Sequence, residues 1–244
     1  MRHPLPNRCG ENLKFPKAVL FDLDDTLVTH NEALERALAS VYPNYPELAA
    51  AYDLQSLVGT WKESLRRDYK NLPGDKLSEQ QRRIERIRKI WRPVKSDLSD
   101  AFCLNVAAEY LQVYEENWSL HNDVQAMLSD FAGVRMGVIT DGYVTQQNQK
   151  LRQLGVARHF EIVLTSEEAG VAKPASLIFH LACQKLGVEP ADAAYVGDLL
   201  ETDALGAKNA GMDGIWLNRK DECDDRSSRV RTINSLVKLN TLFV

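Results

Sequence analysis

The sequence predicts an α/β protein with a Rossmann-like parallel sheet core and an inserted four-helix cap domain. Three observations lead to this fold class. Short apolar runs of strand length end at polar residues, first at 18–21 and then repeatedly beyond residue 134. Helical stretches alternate with the later runs, which is typical of a parallel sheet with right-handed crossovers. The segment 31–118 has helical periodicity throughout and therefore reads as an insertion after the first strand.

The first predicted strand leads directly into two carboxylates. Its residues, 18–21, form an uninterrupted apolar run, which suits a strand covered on both faces in a parallel sheet. Asp22 and Asp24 follow at the carboxyl end, where open parallel sheets bind their ligands. A pair of carboxylates at this edge is a candidate catalytic site. The alternative is that either aspartate only caps a turn or a helix.

Four amphipathic helices and no strand are predicted in the insertion. Breaks between the helices fall at Pro43–Pro46, at Asn71–Gly74 and at Pro93, where turn-forming residues occur. Each helix has apolar residues at helical spacing. These stripes are Leu34, Leu38 and Val41; Leu54, Leu57, Trp61 and Leu65; Ile84, Ile87 and Trp91; and Phe102, Val106, Tyr110 and Val113.

The βα alternation resumes after the insertion. The predicted later strands are 134–139, 161–164, 193–196 and 214–217, and the predicted helices are 122–131, 144–154, 175–186 and 202–210. The expected division is a catalytic core of residues 15–30 and 119–244, a cap of residues 31–118 and an N-terminal tail of residues 1–14. The polar stretch 219–228 is predicted to be a surface loop.

Composition narrows the possible functions. A net charge of −4 gives no support to binding of a nucleic acid polymer, so the expected partner is a small metabolite. The first 14 residues do not resemble a signal peptide, and no apolar segment is long enough to span a bilayer. We therefore expect a cytoplasmic protein without membrane association, and its oligomeric state stays open. Neither a zinc site nor a disulfide framework is predicted, because the four cysteines lie far apart: Cys9, Cys103, Cys183 and Cys223.

Polar residues also follow the later strands. Thr140 closes a predicted strand. Its hydroxyl could donate to a phosphate oxygen, although Thr140 taken alone is interpreted as structural, and the neighbouring Asp141 could cap the next helix. Lys173 precedes Pro174, which favours an extended backbone and lets a helix begin at the proline. A lysine held in this way could point at an anion. Taken in isolation, Lys173 is interpreted as a solvated surface lysine.

Gly197-Asp198 is a more specific signal. Gly197 permits close backbone approach, and Asp198 lies at the predicted strand edge. Asp203 follows about one helical turn later, as a further functional carboxylate or only as a helix cap.

Four motifs in this order resemble those of the haloacid dehalogenase superfamily, in the form with a helical C1-type cap. They are Asp22-Leu-Asp24-Asp-Thr26, Thr140, Lys173-Pro174, and Gly197-Asp198 with Asp203. The resemblance covers the chain beyond its tail. Residues 166–174 and 196–211 look most similar to the branch of pyrimidine 5'-nucleotidases and N-acylneuraminate-9-phosphatases. This implies a phosphomonoesterase acting on a nucleoside monophosphate or on a sugar or sugar-acid phosphate.

The resemblance also implies a cofactor and roles for the site residues. It implies Mg²⁺ held by the side chains of Asp22 and Asp198 and by the backbone carbonyl of Asp24, in keeping with the hard oxygen ligands that Mg²⁺ prefers. Lys173 and Thr140 would contact the substrate phosphate, assisted by the backbone N–H groups of Leu23 and Asp24.

In the implied mechanism, Asp22 is the nucleophile that forms an aspartyl-phosphate. Asp24 first protonates the leaving alcohol and then activates water. Asp203 would support Lys173 or a water ligand of the metal. Thr26 is expected to stabilise the turn with its hydroxyl.

Other reactions of this fold stay open. Asp24 argues against dehalogenation, because a halide leaves without a proton. A phosphomutase or phosphotransferase shares the acid/base aspartate, and a non-catalytic regulatory protein would keep the fold without turnover. The cap is expected to select the substrate, with candidate contacts at Trp61, Arg66, Arg67 and Tyr69.

Overall fold

The computed structural model describes residues 15–71 and 77–243. Its centre is a sheet of six parallel strands in the order β3-β2-β1-β4-β5-β6. The strands are β1 (Ala18–Phe21), β2 (Arg135–Thr140), β3 (Ile162–Thr165), β4 (Ala193–Gly197), β5 (Asp213–Leu217) and β6 (Arg231–Ile233). The predicted parallel sheet is confirmed. β6 is an additional strand, and its three residues are too few to give a sequence signal.

β1 is covered on both faces, as its apolar sequence predicts. All four of its residues are fully buried. Val19 and Phe21 pack into one hydrophobic cluster, whereas Ala18 and Leu20 pack into another on the opposite face. β1 pairs with β2 on one side and with β4 on the other. The residues that follow these three strands therefore meet at one edge of the sheet.

The insertion between β1 and β2 is helical. It contains α1 (His30–Val41), α2 (Leu54–Asn71), α3 (Glu79–Trp91) and α4 (Asp100–Glu116). Their apolar stripes form a separate hydrophobic cluster that includes Trp61, Trp91 and Tyr110. Leu54, predicted to belong to the stripe of α2, is exposed at the first residue of that helix. Part of the predicted turn at Asn71–Gly74 lies outside the described residues.

The remaining helices flank the sheet. They are α5 (Val124–Asp130), α6 (Val144–Gln153), α7 (Ser166–Ala169), α8 (Ser176–Leu186), a π-helical turn (Leu200–Leu205), α9 (Gly206–Asn209) and α10 (Leu239–Leu242). The single helix predicted over 202–210 is therefore two shorter pieces. The predicted loop 219–228 overlaps a 3₁₀ turn at Asp225–Arg229.

Several sequence-based expectations concern the chain as a whole. The predicted N-terminal tail and Cys9 lie outside the described residues. Cys103, Cys183 and Cys223 are free thiols. Within residues 15–71 and 77–243, no helix combines the length and the apolar character needed to cross a membrane.

Candidate active site

The carboxyl edge of the sheet gathers the polar residues that follow its central strands. Asp22 comes directly after β1, Thr140 ends β2 and Asp198 comes directly after β4. The parallel register aligns Phe21 with Val138 and with Val196, so these three strands end close together. The sequence thus folds its separated motifs into one site.

Lys173 is the cation at the centre of this site. It lies in the loop before α8 and is only 9% exposed, which rules out the solvated surface position. Its Nζ donates to Asp22 Oδ1 at 2.6 Å, to Asp203 Oδ1 at 2.7 Å and to the Tyr195 hydroxyl at 3.1 Å. Burial alone would lower the pKa of Lys173, but the charges of Asp203 and Asp22 raise it well above its usual range. Lys173 is therefore a fixed positive charge beside the candidate nucleophile.

The backbone around Lys173 differs from its predicted form. The Lys173–Pro174 peptide bond is cis, and α8 begins at Ser176 rather than at the proline. Asp141 does not cap α6. Its Oδ1 accepts a hydrogen bond from the Lys173 backbone N–H at 3.1 Å, so it helps to fix the lysine loop.

Three carboxylates, two of which contact Lys173, form a candidate metal centre. Asp22, Asp198 and Asp203 each offer an oxygen, and these oxygens lie within 4.8 Å of one another. Burial raises the pKa of Asp22 to about 7, against the opposing effect of Lys173. Burial and the charges of Asp22 and Asp203 raise the pKa of Asp198 well above its usual range.

The donor set fits a divalent cation. When ionised, the three carboxylates carry three negative charges, against one positive charge on Lys173, so the cluster lacks two positive charges. Hard carboxylate oxygens are the ligands that Mg²⁺ prefers. Asp203 is the most deeply buried of the three, with Lys173 on its Oδ1 and the Leu199 backbone N–H donating to its Oδ2 at 2.9 Å.

Thr26 joins the two loops that hold the metal-ligand candidates. Its hydroxyl donates to Asp22 Oδ2 at 3.1 Å and accepts from the Asp198 backbone N–H at 3.1 Å. Thr26 is fully buried. Its hydroxyl therefore ties the end of β1 to the end of β4, in addition to any effect on its own turn.

The side chain of Asp24 belongs to a second group of contacts. Lys150 Nζ lies 2.5 Å from Asp24 Oδ1, and Gln147 Nε2 donates to Asp24 Oδ2 at 3.0 Å. His30 Nδ1 lies 3.8 Å from Oδ1. Burial alone would raise the pKa of Asp24, but Lys150 and His30 outweigh it and lower the pKa to about 2. Asp24 is therefore ionised at neutral pH and must gain a proton before it can donate one.

Lys150, Gln147 and His30 were missed by the sequence reasoning. Lys150 is fully buried and Gln147 is 1% exposed, although polar residues of these types on a helix usually indicate a solvated face. A weak signal exists in the spacing, because positions 147 and 150 lie on the same face of α6.

Two further acidic residues next to the motifs make contacts outside the candidate metal centre. Asp25, at a φ of 62°, accepts hydrogen bonds from the backbone and side chain of Asn31 and so caps α1. Glu201 forms an exposed ion pair with Arg226.

The insertion brings only some of its candidate contacts towards the site. Trp61 is buried against Tyr110 in the core of the insertion. Arg66 and Arg67 are exposed. Tyr69 makes an edge-on ring contact with Tyr143, which lies three residues after Thr140.

The sheet and the acidic site at its carboxyl edge define a hydrolase of the haloacid dehalogenase type. The chain matches the family model described as "Hydrolase: haloacid dehalogenase-like hydrolase" over residues 16–211, and it belongs to this family. The resemblance predicted from the four motifs is confirmed.

Several relatives of similar sequence are named as phosphatases or nucleotidases. The chain is 32% identical to a ribulose-1,5-bisphosphate 5-phosphatase of Halopiger xanaduensis, over 88% of this chain and 90% of the relative. It is 30% identical to the pyrimidine 5'-nucleotidase YjjG of Escherichia coli, over 92% and 96%. A shorter match, 34% identical over 52% of this chain and 53% of the relative, is with the human N-acylneuraminate-9-phosphatase. The nucleotidase and the N-acylneuraminate-9-phosphatase are the two kinds of enzyme that residues 166–174 and 196–211 were predicted to resemble.

Solved structures share the fold. The HAD-hydrolase YfnB of Bacillus subtilis, described as bound to magnesium, has a TM-score of 0.76 at 19% identity, over 94% of this chain and 99% of that one. A 2-haloacid dehalogenase of Pseudomonas syringae has a TM-score of 0.68 at 26% identity, over 93% and 97%.

Proposed function

We propose that this protein is a Mg²⁺-dependent phosphomonoesterase that hydrolyses a small phosphorylated metabolite through an aspartyl-phosphate on Asp22. The observation that carries the proposal is the buried Lys173, held between Asp22 and Asp203 beside Asp198. This arrangement offers a nucleophile, a fixed cation and hard oxygen ligands at one sheet edge. The relatives named as phosphatases and nucleotidases support the same reaction class.

The proposed metal ligands are the side chains of Asp22 and Asp198 and the backbone carbonyl of Asp24. A bound Mg²⁺ would neutralise charge on the substrate phosphate and let an anionic nucleophile approach it. Asp203 has a different proposed role. Because it is engaged by Lys173 and Leu199, it holds the lysine in place.

The proposed reaction has two steps on the protein's own residues. The first step begins with an Asp24 that has gained a proton as the substrate binds. A carboxylate oxygen of Asp22 bonds to phosphorus while the bond from phosphorus to the leaving oxygen breaks, and Asp24 gives that oxygen its proton. In the second, the oxygen of a water molecule bonds to phosphorus, Asp24 takes the water proton and the bond to Asp22 breaks. The products are the alcohol and inorganic phosphate, and both aspartates return to their initial state.

Other residues would hold the phosphate. Lys173 and the Thr140 hydroxyl are the proposed side-chain contacts, and the N–H groups of Leu23 and Asp24 are the proposed backbone contacts. The Thr140 hydroxyl already accepts from Gln147 Nε2 at 2.7 Å, which leaves its own proton to donate. Thr26 would keep the two metal-binding loops together.

We assign substrate selection to the helical insertion, residues 31–118, as a cap over the core formed by residues 15–30 and 119–244. Tyr69 and Tyr143 would line the recess for the leaving group. Arg86, buried and paired with Asp68, carries a positive charge in α3, and its charge lowers the pKa of Tyr143 against the larger effect of burial. Polar and aromatic groups of this kind suit a nucleoside or a sugar or sugar-acid phosphate. The cytoplasmic location stays a prediction.

Asp24 distinguishes the hydrolysis of a phosphate ester from dehalogenation, the reaction in the name of one structural neighbour. A halide leaves as an anion, whereas an alkoxide leaving from a phosphate ester needs a proton. The sequence provides a carboxylate two residues after the nucleophile, with defined hydrogen-bond partners. This favours phosphate esters over haloacids as substrates.

The decisive experiment measures phosphate release from a panel of nucleoside monophosphates and sugar phosphates, with and without Mg²⁺. We expect Mg²⁺-dependent turnover by the wild type and a loss of at least about 1,000-fold in Asp22→Asn, because the nucleophile is removed. Asp130→Asn, a matched change at an exposed position, should keep wild-type activity. Folded wild-type protein that releases no phosphate from any member would contradict the proposal.

A further inference from the structure

Lys150 is a fully buried lysine directed at the proposed acid/base residue. Its Nζ lies 2.5 Å from Asp24 Oδ1, and no part of its side chain is exposed. The rings of Tyr114 and Trp118 lie 5.6 Å and 5.4 Å from Nζ, so aromatic faces from the insertion side enclose the ammonium group. A buried charge without a partner is energetically unfavourable, so the ion pair with Asp24 is strongly favoured for the Lys150 side chain.

Gln147 holds the other carboxylate oxygen. Its Nε2 donates to Asp24 Oδ2 at 3.0 Å and lies 2.7 Å from the Thr140 hydroxyl oxygen. Gln147 and Lys150 lie on adjacent turns of α6 and contact one oxygen each. Together they fix the plane of the Asp24 carboxylate and link it to the proposed phosphate contact at Thr140.

We propose that Lys150 is a positioning residue for proton transfer by Asp24. It holds the Asp24 carboxyl group within reach of the leaving oxygen in the first step, once Asp24 has gained a proton, and within reach of the attacking water in the second step, when Asp24 is ionised. Proton transfer requires a heavy-atom distance of about 2.6–3.2 Å, so a carboxylate free to rotate would spend little time in range. This inference rests on the proposed phosphatase function and names a residue that the four motifs do not contain.

The test compares leaving groups that differ in their need for a proton. Alkyl phosphates, including nucleoside monophosphates, release a strongly basic oxygen and need Asp24, whereas p-nitrophenyl phosphate releases a stable phenolate without it. For Lys150→Met we expect kcat/KM for the best alkyl phosphate to fall by about 10- to 100-fold, with p-nitrophenyl phosphate changed by less than about threefold. The readout is the ratio of kcat/KM for the alkyl phosphate to kcat/KM for p-nitrophenyl phosphate. We expect this ratio to fall, whereas a general loss of structure would leave it unchanged.

Two variants complete the design. Lys185→Met removes an exposed lysine paired with Glu168 and should leave the ratio at the wild-type value. If circular dichroism shows that Lys150→Met is unfolded, Gln147→Leu replaces it. Gln147 contacts both Asp24 and Thr140. The loss of the Thr140 contact would lower kcat/KM for both substrates alike and would therefore leave the ratio unchanged. That variant should shift the ratio in the same direction.

The outcomes separate this inference from the proposed function. An unchanged or increased ratio in a folded variant, beside an active wild type, overturns the role of Lys150 and leaves the phosphatase proposal intact. A wild type that hydrolyses neither class of ester overturns both.

Discussion

The hydroxyls of Tyr143 and Tyr42 differ in whether they have a hydrogen-bond partner within the protein. Tyr143 is 5% exposed, and within the described part of the chain its hydroxyl has no hydrogen-bond partner. The hydroxyl of Tyr42 donates to the Tyr52 backbone carbonyl at 2.7 Å. A buried hydroxyl without a partner costs stability, whereas a bonded one contributes to it. We therefore propose that the leaving group of a bound substrate supplies the partner that the Tyr143 hydroxyl lacks.

Tyr143→Phe is expected to raise KM by about 10-fold while the melting temperature stays equal or rises, because the lost hydroxyl has no partner in the free protein. The matched control, Tyr42→Phe, should show the reverse pattern, with an unchanged KM and a loss of about 1 kcal/mol of stability. Steady-state kinetics and thermal unfolding measure both. A Tyr143→Phe variant with wild-type KM would remove Tyr143 from the recess.

At the same scale, the site was only partly predictable. Sequence signals mark three of the site residues. Asp22 follows the end of a strand, Asp198 follows a glycine and Lys173 precedes a proline. Lys150 and Gln147 have no such marker. The Lys150 ammonium group is covered by aromatic rings of the insertion side, and this is a tertiary effect that helical periodicity cannot reveal.

At the scale of elements, the end of β4 packs tightly against the π-helical turn. A Cβ atom on Gly197 would lie 2.4 Å from Asp203 Cγ and 2.5 Å from Asp203 Oδ2. The absence of a side chain at position 197 thus lets Asp203 approach the strand and reach Lys173. This close approach explains physically why a glycine stands before Asp198.

Gly197→Ala is expected to lower stability by about 1–3 kcal/mol through overpacking and to reduce activity by displacing Asp203. Gly59→Ala is the matched control in α2, where an added Cβ would meet nothing within 4 Å. That control should gain about 0.5–1 kcal/mol, because alanine favours a helix interior over glycine. Thermal unfolding and phosphate release distinguish them. Equal melting temperatures for the two variants would contradict the packing argument.

At the scale of the whole molecule, the sheet and its helical insertion follow from periodicity, since the buried strands and amphipathic helices are long enough to be read. Shorter features were missed. The three residues of β6 give no pattern. The π-helical turn at Leu200–Leu205 depends on contacts made by Asp203, whose carboxylate accepts from the Leu199 N–H, and local propensity does not encode these contacts.

The acidic edge of the sheet should make the stability of the metal-free protein depend on pH. The pKa of Asp22 is raised from 3.8 to about 7, chiefly by burial. Its folded form therefore holds the proton more tightly than the unfolded chain does. The stability that this provides is fully present below about pH 3.8 and is lost as pH rises through about 7. The charge deficit of the cluster is greatest above that range.

Mg²⁺ should consequently stabilise the protein more at pH 8 than at pH 5, where it must displace a proton from Asp22. With Mg²⁺ at 100 times its Kd, we expect the melting temperature at pH 8 to rise by roughly 5–10 °C. Thermal unfolding with Mg²⁺ and with a chelator, at both pH values, measures the increment. Asp198→Asn should nearly abolish it because a ligand is lost, whereas Asp130→Asn should keep it. Equal increments at pH 5 and pH 8 would show that the binding of Mg²⁺ does not involve Asp22.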